Sequence, residues 1–202
     1  MVCIQTNRIN CLPLPRYYRR MAMMFPPEFP HDLQKKPKLV GEKLVYDALR
    51  NALDNMWSVF YDWPVKGTRR RVDFLCIGQG RGVIAIEVKG GLVHHSRARF
   101  RQLVARPGVR KVVTPFDQAK KALDAVLACC DAEAAALPCH IVVFFPHMSQ
   151  AGFTFPEGPY VFTRENLEPA KLWAKLDGAM RVAVSMPECM ALGQLFAALA
   201  RP

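Results

Sequence analysis

The sequence contains no apolar run of about 18 residues, the length that a membrane-spanning helix requires. It has 7 cysteines but no Cys-x-x-Cys pair, so the spacing typical of zinc and redox sites is missing. Their odd number and their place in apolar runs indicate reduced thiols. These absences argue against a helical membrane protein, a zinc-binding module and a disulfide-stabilised secreted domain.

The first residues show no secretion signal, because arginines at positions 8, 16, 19 and 20 interrupt the apolar segment that such a signal needs. The expected location is therefore cytoplasmic. Internal repeats and low-complexity tracts are also missing. Glycines at 78, 80 and 82 do not form a phosphate-binding loop, because neither a helix nor Gly-Lys-Ser/Thr follows them, and we interpret them as a hairpin turn.

Positive charge is what the sequence has in excess. It carries 28 Lys and Arg against 17 Asp and Glu, a formal net charge of +11. The excess is concentrated in residues 66–111, where twelve basic residues accompany only two acids, Asp73 and Glu87. This concentration favours a polyanionic partner such as nucleic acid. A solvated basic surface without a partner is the alternative.

The length of 202 residues suits one α/β domain. We expect an irregular, basic and Pro-rich segment over 1–38 and a single domain over 39–202, with its core at about 39–145 and a C-terminal strand and helices over 146–202. The apolar patterns predict these elements: an extended lead-in over 25–38, a helix over 41–54, a strand over 57–63, a basic loop over 64–70, a hairpin over 70–88, a loop-like insertion over 90–114, a helix over 116–136, strands over 139–145 and 160–162, and helices over 166–177 and 188–200.

The hairpin carries two acids in otherwise apolar strands. If its turn is centred on Gly80, antiparallel pairing sets Leu75 opposite Ala85 and Asp73 opposite Glu87. Directly opposed residues have Cβ atoms about 4.5–5.5 Å apart, and like charges there are destabilising. The pair therefore needs a reason to be present.

Lys89 follows Glu87 by two residues and so points to the same face of the sheet. Both faces of the two strands are apolar, which predicts burial, and a buried unpaired carboxylate costs several kcal/mol without a counter-charge or a metal. The hairpin therefore predicts a divalent-cation site with Lys89 beside it. Two alternatives stay open: solvated acids at a sheet edge, and a purely structural role with the acids paired to Arg71 and Lys89.

An Asp on one strand followed by Glu-x-Lys on the next resembles the PD-(D/E)XK nuclease superfamily, and the wider context resembles the nuclease-related domain (NERD) family. The resemblance covers about residues 21–145. The segment at 21–30 also resembles the start of NERD proteins in which a helicase follows. Four further segments agree in order and spacing: Gly41-Glu42 at a helix start, Val72-Asp73-Phe74-Leu75, the run from Gly82 to Gly91 that contains Glu-Val-Lys-Gly-Gly, and Pro115-Phe116-Asp117-Gln118-Ala119.

The resemblance implies an α/β fold with a restriction-endonuclease-like core, in which helices flank a central mixed sheet. It implies Mg²⁺, or Mn²⁺ in its place, held by Asp73, Glu87 and the backbone carbonyl of Val88. Lys89 would orient the attacking water or stabilise charge in the transition state.

The resemblance adds two further catalytic candidates. Glu42 would complete the metal shell, although an acid in the first turn of a helix is also favoured by the helix dipole alone. Gln118 matches a glutamine that approaches the site in this superfamily, but Ala122 departs from the tyrosine of some relatives. A helix-capping or exposed glutamine is the alternative for Gln118.

We therefore predict a Mg-dependent deoxyribonuclease that hydrolyses DNA phosphodiester bonds in DNA processing or repair. The competing hypothesis is a non-catalytic nucleic-acid-binding module that partners a separately encoded helicase or a repair factor. Residues after 145 contain no helicase motif. Six arginines are the predicted nucleic-acid contacts in either case: Arg69, Arg70, Arg71, Arg97, Arg99 and Arg101.

Overall fold

A computed structural model describes most of the chain between residues 21 and 180. The predicted helix over 188–200 and the candidate Arg97 lie outside the described residues, as does Gly80 at the predicted turn. The described ranges are 21–31, 39–65, 68–79, 81–96, 99–103, 110–129, 138–150 and 160–180.

Most of the elements along these ranges are strands, and six of them follow one another without a helix between them. In chain order they are β1 (Met23–Phe25), α1 (Val40–Ala52), β2 (Trp57–Pro64), β3 (Arg71–Gly78), β4 (Gly82–Val88), β5 (Val93–Ser96), β6 (Arg99–Leu103), β7 (Arg110–Val113), α2 (Pro115–Leu127), β8 (Cys139–Phe145), β9 (Val161–Thr163), a 3-10 helix (Arg164–Leu167) and α3 (Pro169–Ala179). None of the helices in the described part of the chain is both long and apolar enough to cross a membrane.

Six strands form one mixed sheet in the order β1-β2-β3-β4-β8-β9. β3 runs antiparallel to both β2 and β4, whereas the pairs β1–β2, β4–β8 and β8–β9 are parallel. Helices cover both faces of this sheet. The predicted α/β class with a central mixed sheet flanked by helices is confirmed.

The β3–β4 hairpin has the predicted register. Leu75 pairs with Ala85, and Gly78 pairs with Gly82 where the turn closes. Gly82 has a φ of +103°, and a Cβ at this position would lie 2.3 Å from the carbonyl oxygen of Pro138. Only glycine fits here, because β8 begins directly beside the start of β4.

Alternation along the hairpin gives the sheet two apolar faces. Phe74, Cys76 and Ile86 belong to the core formed with α1 and α3. Leu75 and Ala85 point the other way and pack with α2. The hairpin is therefore buried on both faces, as its apolar pattern predicts.

The helix after the insertion begins as predicted but ends earlier. α2 starts at Pro115, where the missing N–H of proline costs nothing in the first turn. It ends at Leu127, followed by Ala128, and not at 136 as the apolar stripe predicted. The predicted residues 130–136 of this helix lie outside the described ranges.

The prediction of a loop-like insertion over 90–114 is wrong. β5, β6 and β7 form a separate three-stranded antiparallel sheet in this region. Val93 and Val113 are buried and pack with Val143 and Phe145 of β8. Arg and His are interspersed among the residues between these two valines, so the sequence shows too little regular apolar alternation to predict the strands.

Candidate active site

Asp73 lies near the start of β3 and Glu87 near the end of β4, so both reach the same end of the hairpin. The backbone ladder between the strands runs as far as the pair Phe74–Ile86. Beyond it, Oδ2 of Asp73 accepts a hydrogen bond of 2.8 Å from the N–H of Val88. The Asp73 carboxylate thus holds the last residue of β4, and Glu87 beside it is buried.

Lys89 shares the face of Glu87, as the two-residue spacing predicts. Its Nζ donates a hydrogen bond to Oε1 of Glu87, and the two side chains are 14% and 11% exposed. The backbone N–H of Lys89 donates to the carbonyl of Phe144 in β8 at 2.9 Å. An ion pair that is nearly shielded from water therefore lies at the end of β4, and β8 fixes its backbone.

Glu42 approaches this end of the sheet from the first turn of α1. Its Oε2 accepts a hydrogen bond of 2.7 Å from the hydroxyl of Tyr61 in β2. Burial raises the pKa of Glu42 above its ordinary value, the Tyr61 bond opposes that rise, and the nearby carboxylate of Glu87 adds to it. Lys89 acts in the opposite direction. The helix thus brings Glu42 within electrostatic reach of the hairpin residues.

Asp73 responds most strongly to these surroundings. Burial, and after it the carboxylate of Glu87, raises the pKa of Asp73 to about 8. Glu42 contributes in the same direction, while the Val88 N–H and the Lys89 ammonium oppose the rise. Three acids and one lysine therefore share one electrostatic environment, and the negative charge there is only partly compensated.

The sequence-based reasoning missed an acid on β2. Tyr61 pairs with Phe74 and Trp63 pairs with Val72. Asp62, which lies between them on β2, is therefore opposite Asp73. Its φ of +48° is a left-handed backbone conformation, which Asp tolerates better than most residues. Arg71 donates to both its side chain and its carbonyl oxygen. The structural alternative in which Arg71 pairs with Asp73 is therefore not what the structure shows.

A family model of the nuclease-related domain matches residues 37–146, which is more than half of the chain. The chain belongs to the nuclease-related domain family. The predicted placement in the PD-(D/E)XK superfamily is confirmed, because NERD proteins are part of it. Searches of curated proteins and of solved structures found no match.

The matched NERD region also contains Gln118, which lies in the first turn of α2. The Gln118 side chain is exposed, and its backbone N–H donates to the carbonyl of Thr114. Within the described ranges, no hydrogen bond joins its side chain to Asp73, Glu87 or Lys89. Its catalytic role stays a prediction.

The predicted nucleic-acid contacts fall on two parts of the NERD domain. Arg69 and Arg70 are exposed just before β3, and Arg71 begins that strand and holds Asp62. Positions 99 and 101 lie in β6, where the structure describes the backbone. Both regions adjoin the hairpin in the chain, and their contact with nucleic acid stays a prediction.

The oxygen ligands available at this site suit a hard cation. No group of three or more His, Cys, Asp or Glu side chains in the described part of the chain forms a ready metal cluster. Mg²⁺, however, is commonly held by one or two carboxylates together with waters and substrate phosphates. Asp73 and Glu87 supply two carboxylates and Val88 a backbone carbonyl. Burial, and after it repulsion from Glu87, raises the pKa of Asp73, and a cation would relieve that repulsion.

Proposed function

We propose that this NERD protein is a metal-dependent nuclease that hydrolyses phosphodiester bonds of DNA, in DNA processing or repair. The observation that carries the proposal is the arrangement of Asp73, Glu87 and Lys89 at one end of a buried hairpin. Glu87 is buried, and Asp73 and Lys89 are partly buried. Placing three ionisable groups beside one another with little exposure to water is costly, and it is typical of sites where the charges are used.

Each of these side chains has a distinct role in the proposed hydrolysis. Asp73 and Glu87 would hold Mg²⁺ or Mn²⁺, with the carbonyl of Val88 as a further ligand. When bound, the ion polarises the scissile phosphate and lowers the pKa of a coordinated water. Lys89 presents a compact ammonium to the phosphate oxygens, on which charge develops in the transition state. Glu42, with one oxygen held by Tyr61, would complete the metal shell with the other.

The charge distribution supports a polyanionic substrate. Twelve of the 28 basic residues lie between positions 66 and 111, on both sides of the candidate site in the chain. The exposed Arg69 and Arg70, together with Arg99 and Arg101 of β6, would contact phosphates along the substrate. The site residues would act on a single phosphodiester bond. Such contacts are independent of base sequence, so we expect binding without sequence preference.

The ion pair between Glu87 and Lys89 favours a second candidate function. It compensates both buried charges without a metal, which a non-catalytic nucleic-acid-binding module could retain for stability. Such a module would bind DNA through the same basic residues and would serve a helicase or a repair factor. Cleavage, and not binding, separates the two candidates.

The test is to incubate the purified protein with plasmid and linear DNA in the presence of Mg²⁺, Mn²⁺ or EDTA. We expect cleavage with either cation and none with EDTA. Asp73→Ala and Glu87→Ala should abolish it, whereas Asp47→Ala, which removes a carboxylate from α1 that pairs with Lys43, should not.

Two outcomes would contradict the nuclease. If both site variants cut like the unaltered protein, the assignment of the site is wrong. If the unaltered protein binds DNA but never cuts it, the binding module takes its place. A melting temperature that falls by several °C in the metal-free site variants would favour the structural ion-pair alternative.

A further inference from the structure

His147 lies just after β8 and contacts the segment that follows Lys89. Its Nδ1 accepts a hydrogen bond of 2.9 Å from the backbone N–H of Gly91. A ring nitrogen that accepts a hydrogen bond carries no proton, so this contact selects the tautomer with hydrogen on Nε2. The family match ends at residue 146, one position before this histidine.

The turn that His147 contacts is held on both sides. Nε2 of Gln102 in β6 donates to the carbonyl of Gly90 at 2.6 Å, and the N–H of Lys89 donates to Phe144. Gly91 has a φ of +76°, a conformation that glycine adopts without strain. The backbone from Lys89 to Gly91 therefore has its position fixed by hydrogen bonds from two sheets.

The same imidazole also lies against the start of α1. A Cβ built at Gly41 would be 3.2 Å from Cε1 of His147, 3.2 Å from Cα of Gly90 and 3.0 Å from Cγ of Pro146. Gly41 immediately precedes Glu42. One side chain thus contacts both the segment that carries Lys89 and the helix turn that carries Glu42.

We propose that His147 is a positioning residue of this nuclease, which fixes Lys89 and Glu42 relative to one another through Gly91 and Gly41. The proposal rests on the proposed nuclease activity. Catalytic groups act only when they are held close to their working geometry, and a displacement of about 1 Å can cost on the order of 10² in rate. Loss of the imidazole should therefore lower kcat and leave substrate binding nearly unchanged.

The experiment compares the unaltered protein with His147→Ala, His147→Asn and the control His31→Ala, which changes an exposed histidine that pairs with Glu28. Asn places its Oδ1 where His places Nδ1, so it can accept the Gly91 N–H. We expect kcat to fall roughly tenfold to a hundredfold in His147→Ala with KM changed less than about threefold. His147→Asn should recover most of that loss, and His31→Ala should match the unaltered protein.

Amide hydrogen exchange of Gly91 supplies a readout that does not need activity. We expect this amide to exchange at least about tenfold faster in His147→Ala and to be protected again in His147→Asn. Unchanged exchange in His147→Ala overturns the inference, as does an unchanged kcat or a loss of kcat that Asn fails to restore. An unaltered protein that never cuts DNA defeats the nuclease function itself, and that result is distinct from these.

Discussion

Burial, and after it the neighbouring acid Glu87, favours the protonated form of the Asp73 carboxyl group. Its pKa in the folded protein, about 8, is far above the value of about 3.9 in an unfolded chain. The folded state therefore keeps a proton that the unfolded state releases, and the resulting stability is present below about pH 4 and lost as pH rises through 8. We expect the melting temperature without metal to fall by several °C between pH 5 and 8.5.

The Asp73→Asn variant tests this cause, because Asn can still accept the Val88 N–H but cannot ionise. Its melting temperature should depend less on pH than that of the unaltered protein, measured with EDTA present. Mg²⁺ should stabilise the unaltered protein more at pH 8 than at pH 5 and should have little effect on the variant. Equal pH dependence in both proteins would show that Asp73 is not the responsible group.

Lys89 offers the clearest separation between chemistry and binding. A donor that acts on the transition state contributes on the order of 10²–10³ to rate, whereas one phosphate contact among many contributes roughly 1 kcal/mol or less to binding. Lys89→Ala should cut DNA at least about a hundredfold more slowly and bind it within a few-fold of the unaltered protein. Lys120→Ala, in an exposed ion pair on α2, is the control and should change neither quantity.

A planar guanidinium cannot take the place of the Lys89 ammonium, so Lys89→Arg should not restore cleavage. Normal cleavage by Lys89→Ala would remove the residue from the mechanism.

Burial raises the pKa of Glu42, and the hydroxyl of Tyr61 opposes that rise by donating to its carboxylate. Burial, and after it the Glu42 carboxylate, raises the pKa of Tyr61, so the phenol stays protonated and donates. Because this bond lowers the pKa of Glu42, Tyr61→Phe should raise it. The acidic limb of the pH–rate profile should move to higher pH, with activity at neutral pH reduced several-fold. Tyr46→Phe removes a hydroxyl that contacts Pro26 instead and should leave the profile in place.

At the scale of elements, α1 approaches the end of β4 through a glycine. Alanine normally stabilises a helix by about 1 kcal/mol relative to glycine. At Gly41 we expect the reverse, because a Cβ would press on Pro146, Gly90 and His147 at 3.0–3.2 Å. Gly41→Ala should lower both the melting temperature and kcat.

Gly178 in α3 is the matched control for this prediction, since nothing lies within 4 Å of a Cβ built there. Gly178→Ala should raise the unfolding free energy by about 0.5–1 kcal/mol without changing cleavage. A stabilised and fully active Gly41→Ala variant would show that the three segments can move apart without loss of function.

The local sequence pattern predicted the register of the β3–β4 hairpin, but it did not predict the residues that contact the hairpin from other elements. Alternation and a short turn determine register, so the pairing of Leu75 with Ala85 and the common face of Glu87 and Lys89 followed from the sequence alone. Asp62, Tyr61 and His147 were missed because each matters through a contact distant in the chain or through an unusual φ. Glu42 was singled out only through the family resemblance, since an acid at a helix start is ordinary.

At the scale of the whole molecule, the net charge of +11 predicts that the proposed binding to nucleic acid depends on salt. If the basic residues neutralise roughly 4–6 phosphates, log K should fall with log salt at a slope of about −3.5 to −5.5. Joint replacement of Arg97, Arg99 and Arg101 by Gln should flatten the slope by up to about 3 and leave the metal-dependent shift in melting temperature intact.

A control variant with the same change in net charge shows whether the salt dependence comes from the predicted contacts or from net charge alone. It replaces three exposed basic residues on other elements. Gln at Lys120, Arg164 and Lys171 should change the slope much less than Gln at the three arginines. A slope near zero in the unaltered protein would show that the charge serves solubility alone.

The parallel pairing of β4 with β8 also determines when the site can be completed during synthesis of the chain. Every candidate acid of the site and Lys89 are synthesised before residue 90, yet Phe144, which receives the Lys89 N–H, follows more than fifty residues later. Domains are built from the N-terminus on the ribosome, so a nascent chain passes through a stage in which all of these groups are present and β4 pairs with β3 but not yet with β8. The proposed nuclease activity should therefore begin only when β8 has emerged and Phe144 can accept the Lys89 N–H.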